Sequence, residues 1–327
     1  MWARRRETIQ CLALGVVLLT FYSLSPLFPS PHTSLGAPVP RRMFPLFWPS
    51  LEVQQRMRML RGTAVMMRCM RPPAGAVKRI EDWRLSLPKE VDFWVQIDNS
   101  TGGADADFEA IRNGLSNPGS VLFSAFTVNE MTARFPSLNN LVNATNFYNT
   151  HRPLSWGFHV EALNLWYENI RTRKQYDHVW VVECDVGYSG NFGDFVTNMT
   201  SRKEDLLLPS MHPGDWNWAF ISTCTPAFAS LLPNVRDRMI GSEQIQRISA
   251  KLFDSLLDWS NHGISAWSEM ATPSAAKYHN LTILELTSFW KDGHTAWNQR
   301  VSREEWNEIM RSTDPKVTNR FYHALKW

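Results

Sequence analysis

A chain of 327 residues, 44% hydrophobic and 20% charged, has the composition of a globular protein with a substantial core, and a disordered chain is excluded. The 34 Lys and Arg nearly balance 31 Asp and Glu, giving a net charge of +3, and no basic tract carries interleaved aromatics, so nucleic acid is excluded as an expected partner. Four cysteines with no Cys-x-x-Cys pair exclude a disulfide scaffold, a redox motif and a zinc knuckle. The 15 tryptophans imply a heavy aromatic core, with a minority free to wall a ligand site.

At the N-terminus, Arg4, Arg5 and Arg6 precede the apolar segment Cys11–Phe28, and no charged residue occurs between Glu7 and Arg41. A bilayer needs about 20 apolar residues, so this segment is just long enough to span one. The basic flank keeps the first residues in the cytosol and sends the rest into the lumen. A cleaved signal peptide is the alternative, because the apolar stretch is short and Pro26 and Pro29 follow it. The expected organisation is a cytoplasmic tail (1–10), a transmembrane signal anchor (11–28), a Pro- and Ser-rich stem (29–61) and a luminal domain (62–327) of a single-pass Golgi or ER protein. Four glycosylation triplets, at Asn99, Asn143, Asn198 and Asn280, fit that compartment. With Cys11 in the anchor, Cys69, Cys184 and Cys224 allow at most one intramolecular disulfide.

Beyond the stem, Leu51–Arg61 fits a short helix and Thr63–Met70 a buried strand. Val77, Ile80, Trp83 and Leu87 recur at helical spacing before Pro88, and Val91–Asp98 reads as a second strand running into a Gly102-Gly103 loop. A short helix over 106–115 and a strand over Ser120–Phe126 follow, then an amphipathic helix over 153–175 and a fourth strand over Val179–Val182. Strands separated by helices predict an α/β fold with a mainly parallel twisted sheet flanked by helices, whose ligand loops lie at the carboxyl ends of the strands. Further on, Arg247–Gly263 reads as one helix, 281–290 as strand-like, and 302–312 as a helix capped by Ser302 with Glu305 at capping-box spacing.

The chemistry concentrates at the end of the fourth strand, in Glu183-Cys184-Asp185. Acidic residues two apart on extended backbone project to one side. Two such oxygen ligands suit Mg²⁺ or Mn²⁺, hard cations that also accept phosphate oxygens. Gly187 and Gly190 would then let the backbone approach a ligand. No phosphate-binding GxxxxGK[ST] loop, GxGxxG, GxSxG or HExxH occurs, which argues against kinase, dehydrogenase, esterase and zinc protease chemistry.

The acidic-x-Asp motif ending one strand, Asp98 ending an earlier one, and the anchored α/β domain together resemble nucleotide-diphospho-sugar glycosyltransferases of the GT-A superfamily. The stretch VWVVECDVGYSGNFGDF is similar to that of GT-A-like membrane proteins of algal, fungal and bacterial type, and the resemblance covers about Thr63 to Trp290. It implies a GT-A (Rossmann-like) fold behind the N-terminal transmembrane helix and transfer of a sugar from a nucleotide-sugar donor to a glycan or other acceptor. It also implies a divalent cation at Asp185 and Glu183, where Glu183 stands in place of the more common Asp. By the same resemblance Asp98 lies toward the nucleotide, with an Asx turn before Gly102 as the alternative. Glu269 is the candidate general base, His294 a third metal ligand or phosphate contact, and Trp216 and Trp218 acceptor-stacking rings, each with a structural alternative. Two other readings stay open for the whole chain. One is a catalytically silent luminal protein that binds glycans or protein, the other a secreted glycoside hydrolase with two facing carboxylates.

Overall fold

The computed structural model describes residues 50–69, 72–73, 75–100, 102–141, 157–290 and 300–327. The apolar segment Cys11–Phe28, the stem up to residue 49, Asn143 and His294 lie outside the described residues. No helix among the described residues is long and apolar enough to cross a membrane.

Helix α1 (Leu51–Arg61) leads into β1 (Thr63–Cys69), and α2 (Ala76–Ser86), β2 (Asp92–Asp98), α3 (Ala104–Gly114) and β3 (Leu122–Phe126) follow in alternation. After α4 (Val128–Arg134) come α5 (His159–Ile170) and β4 (His178–Glu183). The chain continues through β5 (Gly187–Tyr188), α6 (Phe192–Met199), β6 (Leu206–Leu208), β7 (Met211–Pro213), α7 (Pro226–Leu231), β8 (Met239–Gly241), β9 (Ile245–Ser249), α8 (Ala250–Asn261) and α9 (Ser268–Tyr278). It closes with β10 (Ile283–Glu285), α10 (Arg303–Arg311) and β11 (Phe321–Tyr322).

Seven strands form one sheet in the order β10-β6-β9-β4-β1-β2-β3, in which only β9 runs antiparallel to its neighbours. The mainly parallel sheet expected from the sequence is therefore present. Period-two alternation sends successive residues of each strand into different cores. Ala64, Met66, Val179 and Val181 pack with α5, α8 and α9 on one face, while Val65, Met67, Trp180 and Val182 pack with α2, α3 and α6 on the other. A strand covered on both sides reads as a continuous apolar run, which is why β1 and β4 were visible in the sequence.

Three elements differ from the sequence reading, the first being the helix expected over 153–175, which spans His159–Ile170 before the chain turns. The helix expected over Arg247–Gly263 begins only at Ala250, where Ser249 caps it by accepting the Leu252 N–H at 3.1 Å. The residues before it form β9, between β4 and β6. Its central Arg247 is 1% exposed, and its guanidinium donates to the carbonyls of Met199, Arg202 and Glu204 at 2.7, 3.0 and 2.9 Å. A buried arginine held by three carbonyls breaks the apolar pattern that marks a core strand. The strand-like stretch over 281–290 contracts to three residues, Ile283–Glu285, before a 3₁₀ turn over Thr287–Phe289.

The core beneath the carboxyl edge holds one ionisable surprise. Glu161 on α5 is 0% exposed. Burial raises its pKa to about 7, against the opposing effect of the Ser265 and Ser260 hydroxyls. The unfolded chain releases this proton near the ordinary carboxylate value while the folded chain keeps it to about 7. Stability from this group is therefore complete at low pH and is lost as pH rises through that window. Glu161→Gln removes the titration, so the stability of the variant relative to the parent should increase by about 3 kcal/mol between pH 4 and pH 8. Urea denaturation at the two pH values measures this, and a pH-independent difference would rule it out.

Candidate active site

Parallel strands deliver their carboxyl ends to one edge of the sheet, and β1, β2 and β4 bring Arg68, Asp98 and Glu183 there. Glu183 and Asp185 straddle the turn that leaves β4. Two arginines hold this turn in place. Arg79 of α2, 4% exposed, donates through Nε and Nη2 to the Cys184 carbonyl at 3.0 and 2.8 Å, fixing the backbone between the two acids. Arg68 of β1 places Nη2 at 3.5 Å from Glu183 Oε1.

The third component comes from the end of the described chain. Strand β11 pairs antiparallel with β5, directly after the acidic turn, and the Leu325 N–H donates to the Asp185 carbonyl at 2.7 Å. This pairing sets His323 Nε2 at 3.4 Å from Glu183 Oε2 and 3.5 Å from Asp185 Oδ2, with Lys326 Nζ also against Asp185 Oδ2. Trp306 of α10 and Leu325 form a small apolar cluster with Val301, Ile309 and Tyr322 that anchors the segment. The sequence reading gave Gly187 and Gly190 to a ligand, but their missing side chains make room for this segment instead. A Cβ on Gly187 would lie 2.4 Å from Leu325 Cδ1, and one on Gly190 would lie 2.1 Å from Asn319 Oδ1.

Electrostatics follow from this crowding. Burial works against the Asp185 carboxylate, yet His323 and then Lys326 hold its pKa well below the ordinary carboxylate range. Glu183 is lowered in the same way, with His323 overcoming burial and the repulsion of Asp185. Burial alone would lower His323, but Asp185 and Glu183 push it up to about 9. The ligand atoms of Glu183, Asp185 and His323 all lie within 4.8 Å of one another. Two carboxylates and an imidazole converging at that spacing are a donor set for a divalent cation. A second triad, His159, Glu183 and Glu243, shares Glu183 and meets the same spacing, with His159 Nδ1 at 2.9 Å from Glu243 Oε1.

Glu269, the second residue of α9, lies close enough to Glu243 and Glu183 to feel their charges. Burial raises its pKa to about 8, followed by the charges of Glu243 and Glu183, while the Trp267 side chain donates a hydrogen bond to it. The Trp267 ring stacks on Phe220 at 3.8 Å, and Trp218 meets Phe220 edge-on, so an aromatic row leads toward Glu269. Trp216 projects from this region at 71% exposure. Asp98 ends β2 at the same sheet edge, and its Oδ1 accepts the Ser100 N–H at 2.8 Å, the geometry of an Asx turn. Among the described residues, Arg68 Nη1 and Glu243 Oε2 are buried with no hydrogen-bond partner. Buried polar atoms left over in a cleft mark where a polar ligand or water completes the bonding.

Sequence reasoning did not find His323, Lys326, Arg68, Arg79 or Glu243. The one signal in reach was the C-terminal FYHALKW, where a histidine and a lysine interrupt an apolar and aromatic run.

No protein-family model matches the chain, and no curated protein matches it in sequence. Among solved structures, several glycosyltransferases show a partial likeness to the chain. The galactosyltransferase LgtC, solved with donor and acceptor sugar analogues, is 12% identical, with 80% of this chain and 86% of that one covered at a TM-score of 0.38. Mouse xyloside xylosyltransferase 1 is 9% identical, with 80% and 97% covered at a TM-score of 0.37. The core-mannan synthase of Aspergillus fumigatus, in a Mn/GDP form, is 11% identical, with 69% and 72% covered at a TM-score of 0.41.

Proposed function

We propose that the chain is a metal-dependent glycosyltransferase that moves a sugar from a nucleoside-diphosphate donor to a hydroxyl of a glycan or other acceptor. The observation that carries this reading is the convergence of Glu183, Asp185 and His323, with ligand atoms within 4.8 Å, at the carboxyl edge of a mainly parallel sheet. The donor set fits Mn²⁺ or Mg²⁺, since hard carboxylate oxygens with one imidazole suit such a cation and the buried partnerless atoms nearby call for a polar ligand. When bound, the cation neutralises the diphosphate leaving group as a Lewis acid.

The chain's own residues supply the rest. Arg68 orients Glu183, and Arg79 keeps the Cys184 carbonyl, and with it the spacing of the two acids, fixed. Lys326 brings an ammonium beside Asp185, where it adds positive charge for the departing diphosphate. Asp98 at the end of β2 lies on the side we assign to the nucleoside. Glu269 takes the proton of the acceptor hydroxyl, because a carboxylate with a pKa near 8 is a stronger base than an ordinary one. The aromatic row of Trp218, Phe220 and Trp267 gives the acceptor ring a flat apolar wall. The Cys11–Phe28 segment, on its sequence, holds this domain at a Golgi or ER membrane with its body in the lumen.

Two measurements test the reading. In 1 mM MnCl₂ with a panel of nucleotide diphosphates, the parent chain should unfold several degrees higher than without metal, on the order of 5 °C for binding well above Kd. Asp185→Asn should abolish that shift and reduce donor turnover at least about 100-fold; an unresponsive parent, or an equal response in the variant, defeats the metal assignment. The second measurement is a pH–rate profile. The parent should lose activity as pH falls below about 8, where Glu269 becomes protonated, and Glu269→Gln should lower the rate by about 10²–10⁴-fold and remove that limb. A profile with the same limb in the variant would show that another group is the base.

A further inference from the structure

The residue between the two acids has a partner of its own. Strands β1 and β4 run side by side in parallel with Arg68 opposite Glu183. Cys69 and Cys184 each follow that last pair, Cys184 as the first residue of the turn beyond β4, and the Cys184 N–H donates to the Arg68 carbonyl at 2.9 Å. Alternation places them on one face. Val65, Met67 and Cys69 share a core with Trp180, Val182 and Cys184, while Ala64, Met66, Val179 and Val181 belong to the opposite core. Neighbouring strands lie about 4.8 Å apart, within the Cα separation of roughly 4.4–6.8 Å that a disulfide spans. Both cysteines are free in this structure and buried, at 4% and 7% exposure, and Cys184 lies close enough to add to burial in raising the Cys69 thiol pKa. Cys224 stands apart, half-buried against the other core and bridged in backbone to Ala266.

We propose that Cys69 and Cys184 form a disulfide that clasps the carboxyl ends of β1 and β4 directly behind the Glu183–Asp185 turn. The oxidant is a small-molecule or protein disulfide. One cysteine thiolate attacks it, releases one thiol and holds the other half as a mixed disulfide. The second cysteine thiolate then displaces that half. Two protein thiols thus lose two electrons and two protons, one protein S–S bond forms, and the oxidant leaves as two thiols. Burial shields both sulfurs once the sheet has closed, so the exchange takes place during folding, before α2 and α6 cover this face. The clasp fixes Cys184 covalently to β1, in addition to the Arg79 contacts to its carbonyl, and holds whether or not the chain transfers sugars.

The test uses the full chain, unfolded in urea and refolded in buffers with increasing oxidised over reduced glutathione. Free thiols are then alkylated under denaturing conditions, and the peptides are mapped by mass spectrometry without reduction. The expected product is a peptide pair joined through Cys69 and Cys184, with Cys224 alkylated or carrying glutathione. The same pair should persist in Cys224→Ser. The linked chain should unfold on the order of 10 °C above its reduced form, because the bond closes a long loop. Glutathione on Cys224 shows that the buffer is oxidising. Alkylated Cys69 and Cys184 in that same sample, or a dominant link from either one to Cys224 or Cys11, would overturn the proposal.

Discussion

Two carboxylates two positions apart and mostly out of water repel each other, and the turn that carries them holds only if positive charge is built around it. In this chain the charge comes from three directions. Arg68 arrives along β1 and Arg79 from α2, and His323 and Lys326 arrive on the segment paired with β5. Removing one partner of such a cluster costs more than the pair contributes, because the remaining buried charge is left unsatisfied. The strand order, the packing of α2 and the docking of the last residues are thus coupled through a single acidic turn.

That coupling separates scaffold from chemistry in a specific way. The seven-stranded sheet is held by apolar contacts on both faces, with Met66, Met67, Val181 and Val182 fully buried. The cleft at its edge is held by ion pairs and by close approaches, such as Gly187 against Trp306 and Leu325. Substitutions in the first group act through cavities and overall stability. Those in the second act through the position of Glu183 and Asp185 while the sheet stays intact.

The legibility of the sequence follows the same division. Strands buried on both faces appear as unbroken apolar runs, so β1, β2 and β4 were readable; the edge strand β3, with Leu122 exposed, was readable from its own apolar residues, as were the parallel sheet and the acidic turn beside a strand end. Strand β9 was not, because Gln246 and Arg247 occupy core positions and only the tertiary structure supplies the three carbonyls that hold the arginine. His323 was missed for a related reason. Its partners are remote in sequence, and a two-residue strand such as β11 gives no periodicity to detect. Glu269 was readable as a candidate only by resemblance, since its neighbours Glu243 and Glu183 come together through α9 and β4 and not through any spacing along the chain.

The β5–β11 pairing also bears on how the protein is made. Glu183 and Asp185 leave the ribosome well before residues 321–327, and at about 5–20 residues per second the delay lasts several seconds or more. Through that interval the acidic turn lacks His323 and Lys326, while the strands and helices that form the sheet are already able to pack. The cleft is completed only by late, sequence-distant contacts, the kind that are slowest to form. The grouping of Glu183, Asp185 and His323 therefore depends on residues 321–327 having been made and docked, and a shorter nascent chain carries the acidic motif without its histidine and lysine.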